Sequence, residues 1–207
     1  MNILKLLTTF AISGLLFACK PETQSSTQPQ SPNTPEKPQE PDESVTPTLP
    51  QNPLSTLNGD IEIAFSADNS LSYADCFGDY YHTGAYMWGL YFQQYTTKEQ
   101  LYVEIMHPEH IFQIPHGTYT TSDNINDINI ILNGCIDQDG YQAYSWYTRL
   151  KHNDIESATA PIFGGTITIE DMGNELYRAT FNLIDDKGNK ITGCYEGRMI
   201  LEDFRTN

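Results

Sequence analysis

Positive charge is scarce in this 207-residue chain: 11 Lys and Arg stand against 27 Asp and Glu, for a net charge of −16. A surface so acidic repels phosphate backbones, which argues against nucleic acid as a partner. Long apolar runs are also missing. The longest, residues 6–17, would rise about 18 Å as a helix, short of a bilayer core of roughly 30 Å. No segment therefore reads as a membrane-spanning helix. Cysteine is rare, with Cys19, Cys76, Cys135 and Cys194 making four in all, too few for a disulfide scaffold. The chain has no G-x-S-x-G elbow, no P-loop and no dinucleotide fingerprint, so these routes to acyl transfer and nucleotide chemistry lack their carriers. No cofactor is expected.

What is present begins with an address. Lys5 precedes the apolar run, which closes on Leu16-Phe17-Ala18-Cys19. A short apolar core behind a single positive charge is a secretory signal rather than a span. A small residue just before cysteine resembles the lipobox of bacterial lipoproteins. That resemblance implies a signal peptide over residues 1–18, cleavage before Cys19, and lipidation of its sulfur with palmitate-type chains. The partner implied is a membrane, reached through lipid on Cys19. The location implied is a bacterial cell envelope, at the outer membrane. Each buried methylene of such an anchor contributes about 0.8 kcal/mol.

Residues 19–56 form a different material. Nine of the twelve prolines fall here, among Gln, Ser, Thr and Glu, without one aromatic residue. Such a segment cannot bury enough apolar area to offset its ordering entropy, so it reads as a disordered linker. Composition switches near residue 57. All 13 tyrosines, both tryptophans and seven of the nine phenylalanines lie beyond it. Residues 57–207 are one domain's worth of chain.

The apolar period in this domain is two. Ile191, Tyr195, Met199 and Leu201 alternate with Thr192, Cys194, Glu196 and Arg198, and Tyr177, Ala179, Phe181 and Leu183 alternate with Arg178, Thr180 and Asn182. Asp171-Met172-Gly173-Asn174 and Asp185-Asp186-Lys187-Gly188-Asn189 separate the runs with residues suited to hairpin loops. Residues 162–201 thus predict a three-stranded antiparallel meander. Further strands are expected at 61–66, 71–81, 85–93, 100–106 and 142–150, with one more within 127–132. Hints of short helix fall at 97–101 and 107–111. The fold class expected is all-β: a single antiparallel barrel or sandwich built from meanders. In residues 85–93 both strand faces are apolar. That strand is either covered twice or lines a pocket with one face.

Gly78-Asp79-Tyr80-Tyr81, Pro115-His116-Gly117-Thr118-Tyr119, Gly164-Gly165-Thr166-Ile167-Thr168-Ile169 and Gly193-Cys194-Tyr195-Glu196-Gly197 resemble the glycine–tyrosine signposts of all-β lipoproteins from Bacteroidetes-type bacteria. The resemblance implies an envelope location and an all-β fold, and brings no catalytic residues.

Candidate chemistry is thin. Cys76, Cys135 and Cys194 allow three disulfide pairings and leave one thiol over. The segment His107-Pro108-Glu109-His110 lacks the spacing of a helical zinc pair and reads as solvent-exposed loop histidines, so no metal is expected. Asp137-Gln138-Asp139-Gly140 begins like a calcium loop, but its twelfth position is Thr148 rather than glutamate. Polar turns in which aspartates bond their own backbone are the expectation. A carboxylate pair with hydrolase activity is the least favoured reading. Aromatics are the best lead: Tyr81, Tyr95, Tyr141, Tyr144 and Trp146 fall at expected strand ends and loops, and Tyr144 and Trp146 would share a face. Flat rings stack on sugar faces and anchor proteins. Tyr141, Tyr144 and Trp146 are therefore the candidate ligand-binding residues. The expected function is non-catalytic binding of a glycan or a protein partner, with a structural subunit of an envelope assembly as the alternative.

Overall fold

The computed structural model describes residues 48–205 except 67, 109–111 and 154. The signal segment, Cys19, most of the linker and His110 lie outside the described residues. Strands run in the order β1 (Ile61–Ala64), β2 (Ser70–Gly78), β3 (Tyr86–Gln94), β4 (Glu99–His107), β5 (Gly117–Ser122), β6 (Ile130–Leu132), β7 (Cys135–Ile136), β8 (Gln142–Ala143), β9 (Trp146–Arg149), β10 (Ala158–Gly173), β11 (Leu176–Asp185) and β12 (Lys190–Asp203). The described residues contain no helix, hence none long and apolar enough to cross a membrane. The expected helical hint at 97–101 dissolves: Thr97 and Lys98 form a turn and residues 99–101 already belong to β4; of 107–111, His107 ends β4 and residues 109–111 lie outside the described residues.

Ten strands join in one mixed sheet, while β7 and β8 pair separately as a hairpin. The meander β10–β11–β12 is antiparallel throughout, as the alternation predicts. The sheet as a whole is not purely antiparallel, which corrects the expected fold class. Strand β12 has β1 parallel to its first half, Ile61 opposite Ile191, and β2 parallel to its second half, Ser72 opposite Met199. Strands β5 and β6 are also parallel.

Direction explains one of these exceptions. Neighbours lead from β2 to β3, β4, β9, β10, β11 and β12, and β12 pairs with β2 again, a circuit of seven strands. Antiparallel pairing reverses direction at every step, so a circuit of odd number returns only through a parallel pair. The β12–β2 pairing supplies it. At the other end of β4 and β10, the pair β6 and β5 replaces β9 between them.

One face of this circuit is dry and filled. Across β2, β3 and β4 the register sets Ser72 against Phe92 and Leu101, Ala74 against Leu90 and Val103, and Cys76 against Trp88 and Ile105. All nine are fully buried. Small residues on β2 face large ones on β3, so adjacent layers fit without voids. Phe65, just after β1, closes on Phe92, Phe181 and Tyr195 with ring centroids 5.7–6.3 Å away. Burial of each large apolar side chain here contributes about 1.5–3 kcal/mol.

Strand β10 changes sides midway. Ala158, Ala160 and Ile162 are buried, then Ile167 and Ile169, so the inward positions shift from even to odd numbers. A register shift between Ile162 and Gly164 inserts the odd residue, and a single extra residue exchanges the two faces. Gly165 follows at φ +100, where a Cβ would meet the Asn182 carbonyl at 2.1 Å. Only glycine fits that bend.

The chain is fastened to the domain before the composition switch. The Leu54 and Ser55 amides donate to the Asp186 carboxylate, and the Ser55 hydroxyl donates to Asp185. Ser55, Asp185 and Asp186 are all buried.

Candidate functional site

With the inner face filled, the features able to hold a ligand lie on the outer face of β3, β4 and β9. Alternation puts Tyr91, then Gln100, Tyr102 and Glu104, then Trp146 and Thr148 on this side, because their neighbours Leu90, Leu101, Val103 and Tyr147 point inward. These residues floor a cavity of ≈ 330 Å³. Its walls come from two loop-borne elements: Tyr81 on the turn after β2, and Gln142, Ala143 and Tyr144 of the β7–β8 hairpin.

Glu104 sits at the centre. Its carboxylate accepts the Tyr81 hydroxyl at 2.9 Å and the Tyr102 hydroxyl at 3.1 Å. Its amide donates to the Ser145 hydroxyl at 3.0 Å, where β9 has turned away from β4. Burial pushes the Glu104 carboxyl above its ordinary range, with the two phenols opposing the shift. Burial and the facing carboxylate both push the Tyr81 and Tyr102 phenols up, so they remain hydroxyl donors at neutral pH.

Gly89 makes room for this arrangement. A Cβ there would lie 3.0 Å from the Tyr102 ring and from its hydroxyl. The Tyr102 ring therefore leans over β3 and packs on Tyr91, tilted by 31° with centroids 4.3 Å apart. Asp75, Gly89 and Glu104 form one cross-strand row, and Tyr102 lies over its middle. Burial, then the neighbouring Glu202, push the Asp75 carboxyl up. Among the described lining residues Glu104 is the one carboxylate, with no histidine or cysteine beside it.

A second cavity, ≈ 220 Å³, lies against Asp123, Ile125, Leu132, Asn133, Gly134, Cys135 and Phe163. Tyr144 belongs to the walls of both cavities. Nearby, Ala85, Met87, Met106, Ile130 and Leu132 form a separate apolar cluster on the outer face. Strand β3 thus answers both alternatives posed by its two apolar faces: Met87 is covered, and Tyr91 lines a cavity.

Two of the three sequence candidates meet here. Tyr144 and Trp146 line the first cavity, with Trp146 almost fully buried and its indole N–H donating to the Ala143 carbonyl at 2.8 Å. They do not share one strand. The strand expected over residues 142–150 is broken into β8 and β9, because Tyr144 takes a left-handed φ of 65°. Tyr141 stands 71 % exposed on the hairpin and is not among the lining residues, and Tyr95 is also exposed. Sequence reading missed Glu104, Tyr102 and Tyr91. Their signal was present as the polar parity of residues 100, 102 and 104, opposite the apolar 101, 103 and 105.

The remaining candidates resolve simply. Cys76 and Cys135 are free thiols, so none of the three pairings forms. His107 is buried at the end of β4, where its Nδ1 pairs with the Tyr119 hydroxyl at 2.9 Å; this corrects the expectation of a solvent loop histidine. Asp137 accepts the amides of Asp139 and Tyr141, a turn bonding its own backbone as expected. Among the described residues no group of three or more His, Cys, Asp or Glu is placed to hold a metal ion. Comparison with protein-family models, curated proteins and solved structures finds no match to this chain.

Proposed function

We propose that this chain is a lipoprotein of a bacterial envelope, anchored at the outer membrane by lipid on Cys19, whose β domain binds a neutral glycan without turning it over. The pairing circuit is read as a barrel with a filled interior, so the ligand site is external. The observation that carries the reading is the outer-face cavity, where the Tyr91, Tyr102, Tyr144 and Trp146 rings surround Glu104 beside Gln100, Gln142 and Thr148. Flat rings suit the apolar faces of pyranoses, while carboxylate, amide and hydroxyl groups suit their hydroxyls. The acidic surface favours neutral over anionic ligands. Among the described residues Glu104 is the lone carboxylate lining this cavity, which supports binding over hydrolysis within it, since hydrolysis needs two acids flanking the scissile bond. The circuit leaves few long free strand edges, which weighs against an assembly subunit held by edge pairing.

The test is titration of the full-length chain with a panel of neutral hexoses and N-acetylhexosamines, followed by tryptophan fluorescence. Trp146 lies in the cavity wall and Trp88 in the core, so a Trp88→Phe variant isolates the reporting ring. Binding that Trp146→Ala abolishes, followed by calorimetry because that variant lacks the reporting ring, with the sugar recovered unchanged, is the expected result. A silent panel overturns the glycan reading. Mass spectrometry of envelope fractions tests the anchor separately, through the acyl mass on Cys19.

A further inference from the structure

We infer that the two outer-face cavities are subsites of one elongated site divided by Tyr144, so that the ligand is an oligosaccharide of at least two units rather than a single sugar. This rests on the glycan reading above and narrows it.

Tyr144 is the first reason. It walls both cavities and holds a left-handed φ of 65°, a conformation that costs a non-glycine residue on the order of 1 kcal/mol or more. That turn takes the chain out of line between β8 and β9 and sets the ring between the two spaces, edge-on to Tyr81 at 6.3 Å. The cavities are also electrostatically close. Burial pushes the Cys135 thiol up, as do Asp137 and then Glu104 from the first cavity.

Asn133 is the second reason. Its side-chain oxygen is buried and has no hydrogen-bond partner, although the residue lines the second cavity. An unpaired buried acceptor costs about 1–3 kcal/mol, and a donor from a ligand relieves it. A sugar hydroxyl is such a donor. Around it, Ile125, Leu132, Phe163 and the far side of Tyr144 offer an apolar bed. Like the first, the second cavity sets polar acceptors, here Asn133 and Asp123, beside apolar and aromatic side chains.

Volume is the third reason. At ≈ 220 Å³ the second cavity is smaller than the roughly 300–1,000 Å³ of independent small-molecule sites. As the continuation of the first it falls within that range.

The experiment is calorimetric titration of the full-length chain with a hexose bound in the panel and its linear oligomers of two, three and four units. Affinity should rise at least tenfold from one unit to two and level off beyond. Asn133→Ala should erase that gain while leaving single-sugar affinity within twofold. Ile125→Ala, which also lines the second cavity, should do the same if Asn133→Ala fails to fold. Equal affinity for one unit and two, or a gain that survives both substitutions, overturns the inference and leaves the glycan reading intact. Failure of every saccharide to bind overturns both.

Discussion

Strands β2, β3 and β4 present two faces made from the same backbone, and the faces obey opposite rules. Inside, Ala74, Leu90 and Val103 lie in one row, with no group that ionises. One residue along, the outer row reads Asp75, Gly89 and Glu104, with Tyr102 folded over the glycine. The inner face is specified by volume, so any apolar set of the right size fills it. The outer face is specified by partners, since each buried polar group needs its counterpart. The main core is thus concentrated on one side of the sheet and the paired polar groups of the cavity on the other.

Substitutions can separate the two. The largest effect is expected inside. Phe92→Ala removes a fully buried ring that packs on Phe65, Phe181 and Tyr195. It should cost about 3–5 kcal/mol in urea unfolding, and a loss under 1 kcal/mol would mean that the inner face is loosely packed. Tyr102→Phe acts outside. It strips Glu104 of one of its two phenol donors, a charged hydrogen bond contributing about 1.5–3 kcal/mol. Saccharide affinity should fall with it, whereas Phe92→Ala should leave the affinity of the folded fraction unchanged.

Glu104→Gln sharpens the contrast through pH. Burial makes the folded protein hold the Glu104 proton more tightly than the unfolded chain does. Between the ordinary value of 4.5 and the raised one, the folded state binds more protons. Stability contributed by this group therefore falls as pH rises through that window and stays level above it. Urea midpoints measured from pH 4 to pH 8 should fall less steeply in Glu104→Gln than in the parent. Identical slopes would contradict a buried carboxyl at this position. The smallest effect is expected on the outer face of the meander. There Arg178 bridges Glu196 at 3.0 Å with both side chains partly in solvent, and Glu196→Gln should change stability by no more than about 1 kcal/mol.

The meander of β10, β11 and β12 was legible because its alternation is local and its loops carry Gly, Asp and Asn. Its finer structure was not. The inserted residue before Gly165 reverses the faces of β10, and nothing in the pattern of Ile162, Ile167 and Ile169 announces which residue is extra. Short strands such as β5 and β7 have too few residues to show a period. The parallel pairings of β12 with β1 and β2 were hidden for another reason: they join segments more than 120 positions apart. The cavity was half legible. Tyr144 and Trp146 stand in an aromatic-rich run that flags itself. Glu104 is one acid among many, and only the fold reveals that two phenols and a serine surround it.

The clasp of Leu54 and Ser55 by Asp185 and Asp186 has a mechanical consequence. Strand β11 runs against β12 and β2 runs with it, so the β11–β12 turn and the Tyr81 turn lie at opposite ends of the sheet. A pull on the chain ahead of Leu54 is taken up first at that carboxylate knot. A pull entering there reaches the sheet at the end remote from Tyr81 and the cavity it walls.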